Sequence, residues 1–170
     1  AERSRKPAAY GALFGLLVSA MVTVFTAADI VLFLLGWEMM SLAAFFLASF
    51  EDRDAAARRG AWFYLIASHL GTALVIFPLL ILLAGRASST SFAALEGIVR
   101  SLPSSTAGLI FASALIGFGT KAGFAPLHVW LPVAHPVAPS PVSAMMSGVV
   151  IKTGIYGLLR VLSWDPALPA

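Results

Sequence analysis

The sequence predicts an all-α polytopic membrane protein. Of its 170 residues, 59% are hydrophobic and only 11% are charged, whereas a soluble domain carries about a quarter charged residues. Several windows reach the roughly 18 apolar residues that mark a transmembrane helix. The apolar runs are long, without the short alternation of membrane β-barrel strands. Together these observations favour a helical membrane protein over a soluble domain.

The composition also limits the cofactors, metal ions and partners that the chain is expected to bind. It has no cysteine, which excludes disulfides, thiolate-bound zinc and cysteine-held iron–sulfur clusters within it. We therefore expect no metal site and no cofactor in this chain. Basic residues do not form an array with interleaved aromatics, so nucleic acid is not an expected partner.

Five segments are predicted to cross the membrane as one domain over residues 1–170. Their approximate bounds are 10–27, 30–50, 60–83, 106–134 and 141–162. Asp29 precedes the second segment and is the expected N-cap. The stretch SFAALEGIVRSL, between the third and fourth segments, has the pattern of a short amphipathic helix at the membrane interface.

The fourth segment is expected to be a broken helix. Its apolar pattern reaches Lys121 and is then interrupted by Gly123 and Pro126, before PLHVWLPVAH continues the span. Broken helices at membrane depth persist only where protein or a water-filled cavity satisfies the freed backbone groups. The break therefore marks the segment as a candidate functional site.

Titratable side chains lie at one predicted depth on four different helices. Glu38, His69 and Lys152 each lie roughly 13–16 Å from the start of their helix, and Lys121 is near the midpoint of the broken span. Half of a hydrocarbon core is about 15 Å. Because an ionised side chain there costs about 2.5–3.5 kcal/mol, such residues normally face the bundle interior and serve transport.

A buried ion pair between Glu38 and Lys121 is the expected arrangement, each partner favouring the charged form of the other. Loss of the partner would make the lysine give up its proton, which suits a proton relay. The alternative is a structural pair that only fixes helix register. His69 is compatible with either a proton path or a hydrogen bond between helices. His128 lies in the broken segment and is assigned to the path, whereas His135 is expected to cap that segment at the membrane surface.

Three quoted segments carry a resemblance to a known family: GWEMMSLAAF, KAGFAPLHVWLPVAH and APSPVSAMMSGVVIKTGIYGLLR. The chain resembles the antiporter-like membrane subunits of respiratory complex I, of Mrp-type cation/proton antiporters and of membrane-bound nickel–iron hydrogenases. It is most similar to the hydrogenase-4 component B (formate-hydrogenlyase) branch. Val133 stands where complex I relatives often have an acid, which also favours the hydrogenase branch.

The resemblance implies a fold of two inverted five-helix repeats, of which this chain would be the first. It implies that Glu38, Lys121, His128 and Lys152 lie on a proton path. The implied function is proton translocation as a subunit of a hydrogenase or complex-I-like oxidoreductase, with redox centres in other membrane and peripheral subunits. A sodium/proton antiporter subunit and a structural membrane scaffold are the alternatives.

The orientation of the chain in the membrane is inferred from the basic residues that flank the predicted segments. We interpret the chain as a piece of a longer protein in a prokaryotic cytoplasmic membrane, with the lipid bilayer and the remaining helices of its full-length chain as partners. Lysine and arginine number six on one side and three on the other, which favours a cytoplasmic N-terminal end. The six are Arg3, Arg5, Lys6, Arg53, Arg58 and Arg59; the three are Arg86, Arg100 and Arg160.

Overall fold

The computed structural model describes residues 7–50, 55–83 and 89–164, and their side chains except those of residues 77–83. Helices make up nearly all of this part, which confirms the all-α fold class. Its described residues form no strand, and their one β-bridge joins Asp29 to Ser91. Of the basic residues used to predict orientation, Arg3, Arg5, Lys6, Arg53 and Arg86 lie outside the described residues.

The first two helices form an antiparallel hairpin. α1 spans Pro7–Thr26 and α2 spans Ile30–Ala48. Asp29 caps α2 as expected, since its carboxylate accepts from the backbone N–H groups of Val31 and Leu32 at 2.7 and 3.2 Å. The Thr90 hydroxyl also donates to this carboxylate. That bond, followed by the two backbone bonds, lowers the pKa of Asp29 against the opposing effect of its partial desolvation.

The third helix is longer than predicted. α3 spans Ala55–Leu83 and begins more than a turn before the expected start at Gly60. The predicted amphipathic helix is α4, Phe92–Arg100, with Phe92, Leu95 and Val99 buried. Its apolar side therefore packs on the bundle instead of facing lipid. The guanidinium carbon of Arg160 lies 4.5 Å from the centre of the Phe92 ring.

The broken helix begins with α5, Ser104–Ala122. Gly123 ends it in a left-handed conformation with φ of +72°, which glycine adopts without steric cost. A 3₁₀ turn at Leu127–Trp130 and the short α6, Leu131–Ala134, complete the segment. The interruption thus falls at the predicted residues Gly123 and Pro126.

The last segment is continuous and consists of three parts, an α-helix, a π-helical stretch and a second α-helix. α7, Ser140–Met145, passes into a π-helical stretch at Met146–Val150 and then into α8, Ile151–Leu162. The sequence pattern did not predict the π-helical stretch. Gly154 lets α8 approach α5 closely, since a Cβ there would lie 2.8 Å from the Phe118 carbonyl oxygen.

Four segments are long and apolar enough to cross a membrane: Pro7–Thr26, Ile30–Ala48, Ser104–Ala134 and Ser140–Leu162. This is one fewer than the predicted five. α3 is not in the set because its described side chains end at Ile76 and include Arg58, Arg59 and His69. Many large apolar side chains of α1, α2, α3 and α5 are exposed on the outside of the bundle, as lipid contact requires. The chain is an integral membrane protein.

Candidate functional site

Lys121 is fully enclosed at the end of α5, with 1% of its surface exposed. Its Nζ donates to Ser41 Oγ at 2.6 Å, Tyr64 OH at 2.9 Å and Ser68 Oγ at 3.1 Å. These three residues, from α2 and α3, form what we call the hydroxyl cradle. An ammonium group has three N–H donors, so each donor has one acceptor.

Aromatic rings surround the same ammonium group. Nζ lies 4.8 Å from the centre of the Tyr64 ring and 5.4 Å from that of Trp37, within the range of a cation–π interaction. The Trp37 indole N–H donates to Thr72 Oγ1 at 3.0 Å, which fixes the ring. The site therefore surrounds Lys121 Nζ with three hydroxyl oxygens and two rings, without a carboxylate in direct contact.

Glu38 pairs with His69 and not with Lys121, so the predicted direct ion pair is wrong. Glu38 Oε2 lies 3.2 Å from His69 Nε2, whereas the Lys121 ammonium bonds only the cradle hydroxyls among the described residues. The reason is the direction in which each α2 side chain points. Trp37 and Ser41, one turn apart, face α5, while Glu38 is rotated toward α3.

The imidazole ring of His69 lies between two oxygen atoms. Nδ1 is 2.9 Å from the Leu65 carbonyl oxygen, and Nε2 is 3.2 Å from Glu38 Oε2. A neutral imidazole has only one N–H. Hydrogen bonds at both nitrogens at once would therefore require a further proton, on the ring or on the carboxyl group.

The other oxygen of Glu38 lies inside the protein without a partner. Glu38 Oε1 is buried and accepts no hydrogen bond from the described residues. A buried carboxylate oxygen without a donor costs free energy, so this atom is a place for a proton or an ordered water. His69 lies on the outer side of the pair, with 48% of its side chain exposed against 29% for Glu38.

The remaining predicted path residues do not face the interior of this part of the protein. His128 is exposed on the 3₁₀ turn, and Lys152 is exposed on α8. Only Lys121 among the five predicted path residues is fully buried. His69, on the outer side of its pair with Glu38, is exposed as well.

His135 follows α6 directly and contacts α7 across the turn between the two helices. Its Nδ1 lies 2.9 Å from Ser143 Oγ on α7, and its ring lies 6.2 Å from that of Trp130. Burial lowers the pKa of His135, which favours the neutral ring. This contact is consistent with the capping position expected from the sequence.

Sequence reasoning missed Ser41, Tyr64 and Ser68. A signal was present, because Tyr64, Ser68 and Thr72 follow one another at four-residue spacing, as do Trp37 and Ser41. Such spacing places side chains on one helix face. Among the described side chains, no group of three or more His, Asp or Glu is placed to hold a metal ion.

Comparison with known proteins identifies the family. The model of the transmembrane family described as NADH:quinone oxidoreductase/Mrp antiporter matches residues 27–168. This chain belongs to that family. The match covers α2 to α8, and so includes the hydroxyl cradle, the Glu38–His69 pair and Lys152.

Individual relatives come from hydrogenases and from quinone oxidoreductases. Hydrogenase-4 component B of Escherichia coli K12 is 40% identical over 155 residues, covering 91% of this chain and 22% of the relative. NAD(P)H-quinone oxidoreductase chain 4-3 of Nostoc is 34% identical, covering 92% of this chain and 28% of the relative. The chain thus spans about a quarter of the length of these relatives.

A solved structure has the same fold. In the membrane-bound sulfane sulfur reductase, described as an archaeal respiratory membrane complex, one chain superposes with a TM-score of 0.81 and 31% sequence identity. The superposition covers 95% of this chain and 26% of that one. The resemblance stated from the sequence motifs is confirmed.

Proposed function

We propose that the chain is the proton-conducting part of an antiporter-like membrane subunit in a hydrogenase or complex-I-like oxidoreductase. The observation that carries this proposal is the contact between Glu38 and His69, two groups able to share a proton, beside the cradle of a fully buried lysine. Family membership supports a membrane subunit of this type. Redox chemistry belongs to other chains, and we assign no cofactor to this one.

In the proposed mechanism, the protonation state of the Glu38–His69 pair and that of Lys121 are coupled electrostatically. A proton on the pair neutralises Glu38 or balances it with imidazolium. When this proton leaves, the carboxylate attracts the Lys121 ammonium; when it returns, the attraction weakens and Lys121 releases its own proton. Energy from the redox partners sets the order of these two events.

The outer residues of the path take the proton onward. His128 follows the break at Gly123 and Pro126, and Lys152 follows the π-helical stretch. Both are exposed on the described part of the chain, so we assign their surfaces to contact with further helices of the full-length protein and with ordered water. Other membrane and peripheral redox subunits are the proposed partners. We place the N-terminal end on the cytoplasmic side of a prokaryotic cytoplasmic membrane.

A sodium/proton antiporter subunit is the second candidate function. The observation that favours it is that the matching family includes Mrp antiporters. Proton transport that requires sodium, and sodium movement in the opposite direction, would favour this second function.

The test is proton uptake by proteoliposomes that contain the full-length, assembled complex. Turnover is started with NADPH and a quinone or with hydrogen, and the rate is compared between wild type, Lys121→Ala and Glu38→Gln. We expect both variants to assemble and to lose most proton uptake. Normal uptake in both would reduce these residues to a packing role, as in the structural scaffold alternative, and would overturn the proposal.

A further inference from the structure

We propose that Ser41, Tyr64 and Ser68 are positioning residues that keep the Lys121 ammonium group charged and in place between proton transfers. This inference rests on the proposed function, because it concerns the lysine that is assigned to the proton path. It adds residues that neither the motif nor the family match identifies. Their role is to solvate the buried ammonium group, which no carboxylate among the described residues contacts directly.

The first argument is that donors and acceptors match in number. Three hydroxyl oxygens lie 2.6, 2.9 and 3.1 Å from Nζ, and 1% of the lysine surface is exposed. A buried charge without partners is far too costly to persist. These oxygens therefore take the place of the water molecules that solvate an exposed ammonium group.

The second argument is that hydroxyl groups serve both protonation states. A carboxylate accepts only, and its negative charge would retain the proton on the lysine. A hydroxyl group both donates and accepts. Ser41 Oγ already donates to the Trp37 carbonyl oxygen at 2.9 Å, so its lone pairs face Nζ. After Lys121 loses its proton, the hydroxyl group can rotate and donate to the neutral amine.

The third argument concerns the other titratable groups near the cradle. Glu38 on α2 follows Trp37 in sequence, and His69 on α3 follows Ser68. Trp37 and Ser68 both contact the Lys121 ammonium group. On α8, Gly154 and Gly157 pack against α5, while Lys152 is exposed. His128 is also exposed. Apart from Tyr64 of the cradle itself, the Glu38–His69 pair is therefore the titratable group among the described residues that we expect to affect Lys121.

The experiment is a rate–pH profile of proton uptake by the assembled complex in proteoliposomes. Ser41→Ala, Ser68→Ala and Tyr64→Phe each remove one acceptor, and Tyr64→Phe keeps the ring and its packing. Because an acceptor stabilises the ammonium form, we expect the decline of uptake at high pH to move to lower pH by about one unit. Ser41→Thr keeps a hydroxyl group and should restore the wild-type profile.

Thr153→Val is the matched control. Thr153 is a buried hydroxyl residue on α8 that bonds the Val150 carbonyl oxygen at 2.7 Å and does not contact Lys121. Its profile should stay that of wild type. A wild-type profile in all three cradle variants, with Lys121→Ala inactive, would overturn this inference and leave the proposed function in place. Full uptake in Lys121→Ala would overturn the proposed function itself.

Discussion

Lys121 and Lys152 are two lysines at similar predicted depth in two very different surroundings. Lys121 lies at the meeting point of α2, α3 and α5, with three hydroxyl oxygens and two rings around its ammonium group. Lys152 is exposed on α8, after the π-helical stretch. The difference shows that depth along a helix does not determine whether a charge is enclosed, because the helix face decides which neighbours it meets.

The largest expected difference between the two lysines is in their tolerance of arginine. The cradle fits a compact ammonium group, whereas a guanidinium group is planar and larger. We expect Lys121→Arg to reduce proton uptake by at least about ten-fold, or about 1.4 kcal/mol in the barrier. Lys152→Arg should retain at least half of the wild-type rate, because no described side chain encloses Lys152 as the cradle encloses Lys121. Equal losses in the two variants would contradict the comparison.

Packing around the two lysines should also differ. Gly154 holds α8 against the α5 backbone near Lys121, since a Cβ would lie 2.7 Å from the Ala122 nitrogen, whereas a Cβ at Gly148 meets nothing within 4 Å. We expect Gly154→Ala to destabilise the purified full-length protein by about 1–3 kcal/mol, seen as a lower melting temperature in detergent. Gly148→Ala is the matched control and should melt like wild type; a larger loss at Gly148 would refute the packing assignment.

The smallest expected effect on stability comes from the N-cap of α2, the helix that carries Glu38 and Ser41. Asp29→Ala removes the N-cap of α2 and should cost about 1 kcal/mol of stability, while Asp29→Asn retains much of the cap. Because folding lowers the pKa of Asp29, its contribution is present above the unfolded pKa of about 4 and is lost as the pH falls through the lower folded value. Thermal melts of wild type and Asp29→Asn from pH 3 to 6 test this: the difference should shrink toward pH 3, and a constant difference would contradict it.

The sequence predicted the positions of the helices better than which side of each helix packs against its neighbours. Apolar runs predicted the segments, and Gly123 with Pro126 predicted the interruption, because both residues act on the local backbone. The positions of Ser41, Tyr64 and Ser68 required knowing which sides of α2 and α3 meet α5. The four-residue spacing of Tyr64 and Ser68 places them on one helix face, but long-range packing decides that this face meets α5.

The structure departs from the sequence analysis in the surroundings of two charged residues, Glu38 and Lys152. The expected Glu38–Lys121 ion pair assumed that opposite charges at equal depth face each other. Glu38 instead lies on the side of α2 that faces His69 on α3. The interior position expected for Lys152 assumed a regular helix from Pro141. The π-helical stretch at Met146–Val150 changes the rotation of all later positions, and π-bulges are frequent at functional sites.

The most direct measurement of the central claim is the number of protons translocated per electron pair by the assembled complex carrying Lys121→Met. Methionine has nearly the length of lysine without its charge, so the enclosed space stays filled. The account predicts that redox turnover continues while the proton-to-electron ratio falls below that of wild type. An unchanged ratio at normal turnover would show that the proton does not pass by way of Lys121, and would contradict the account.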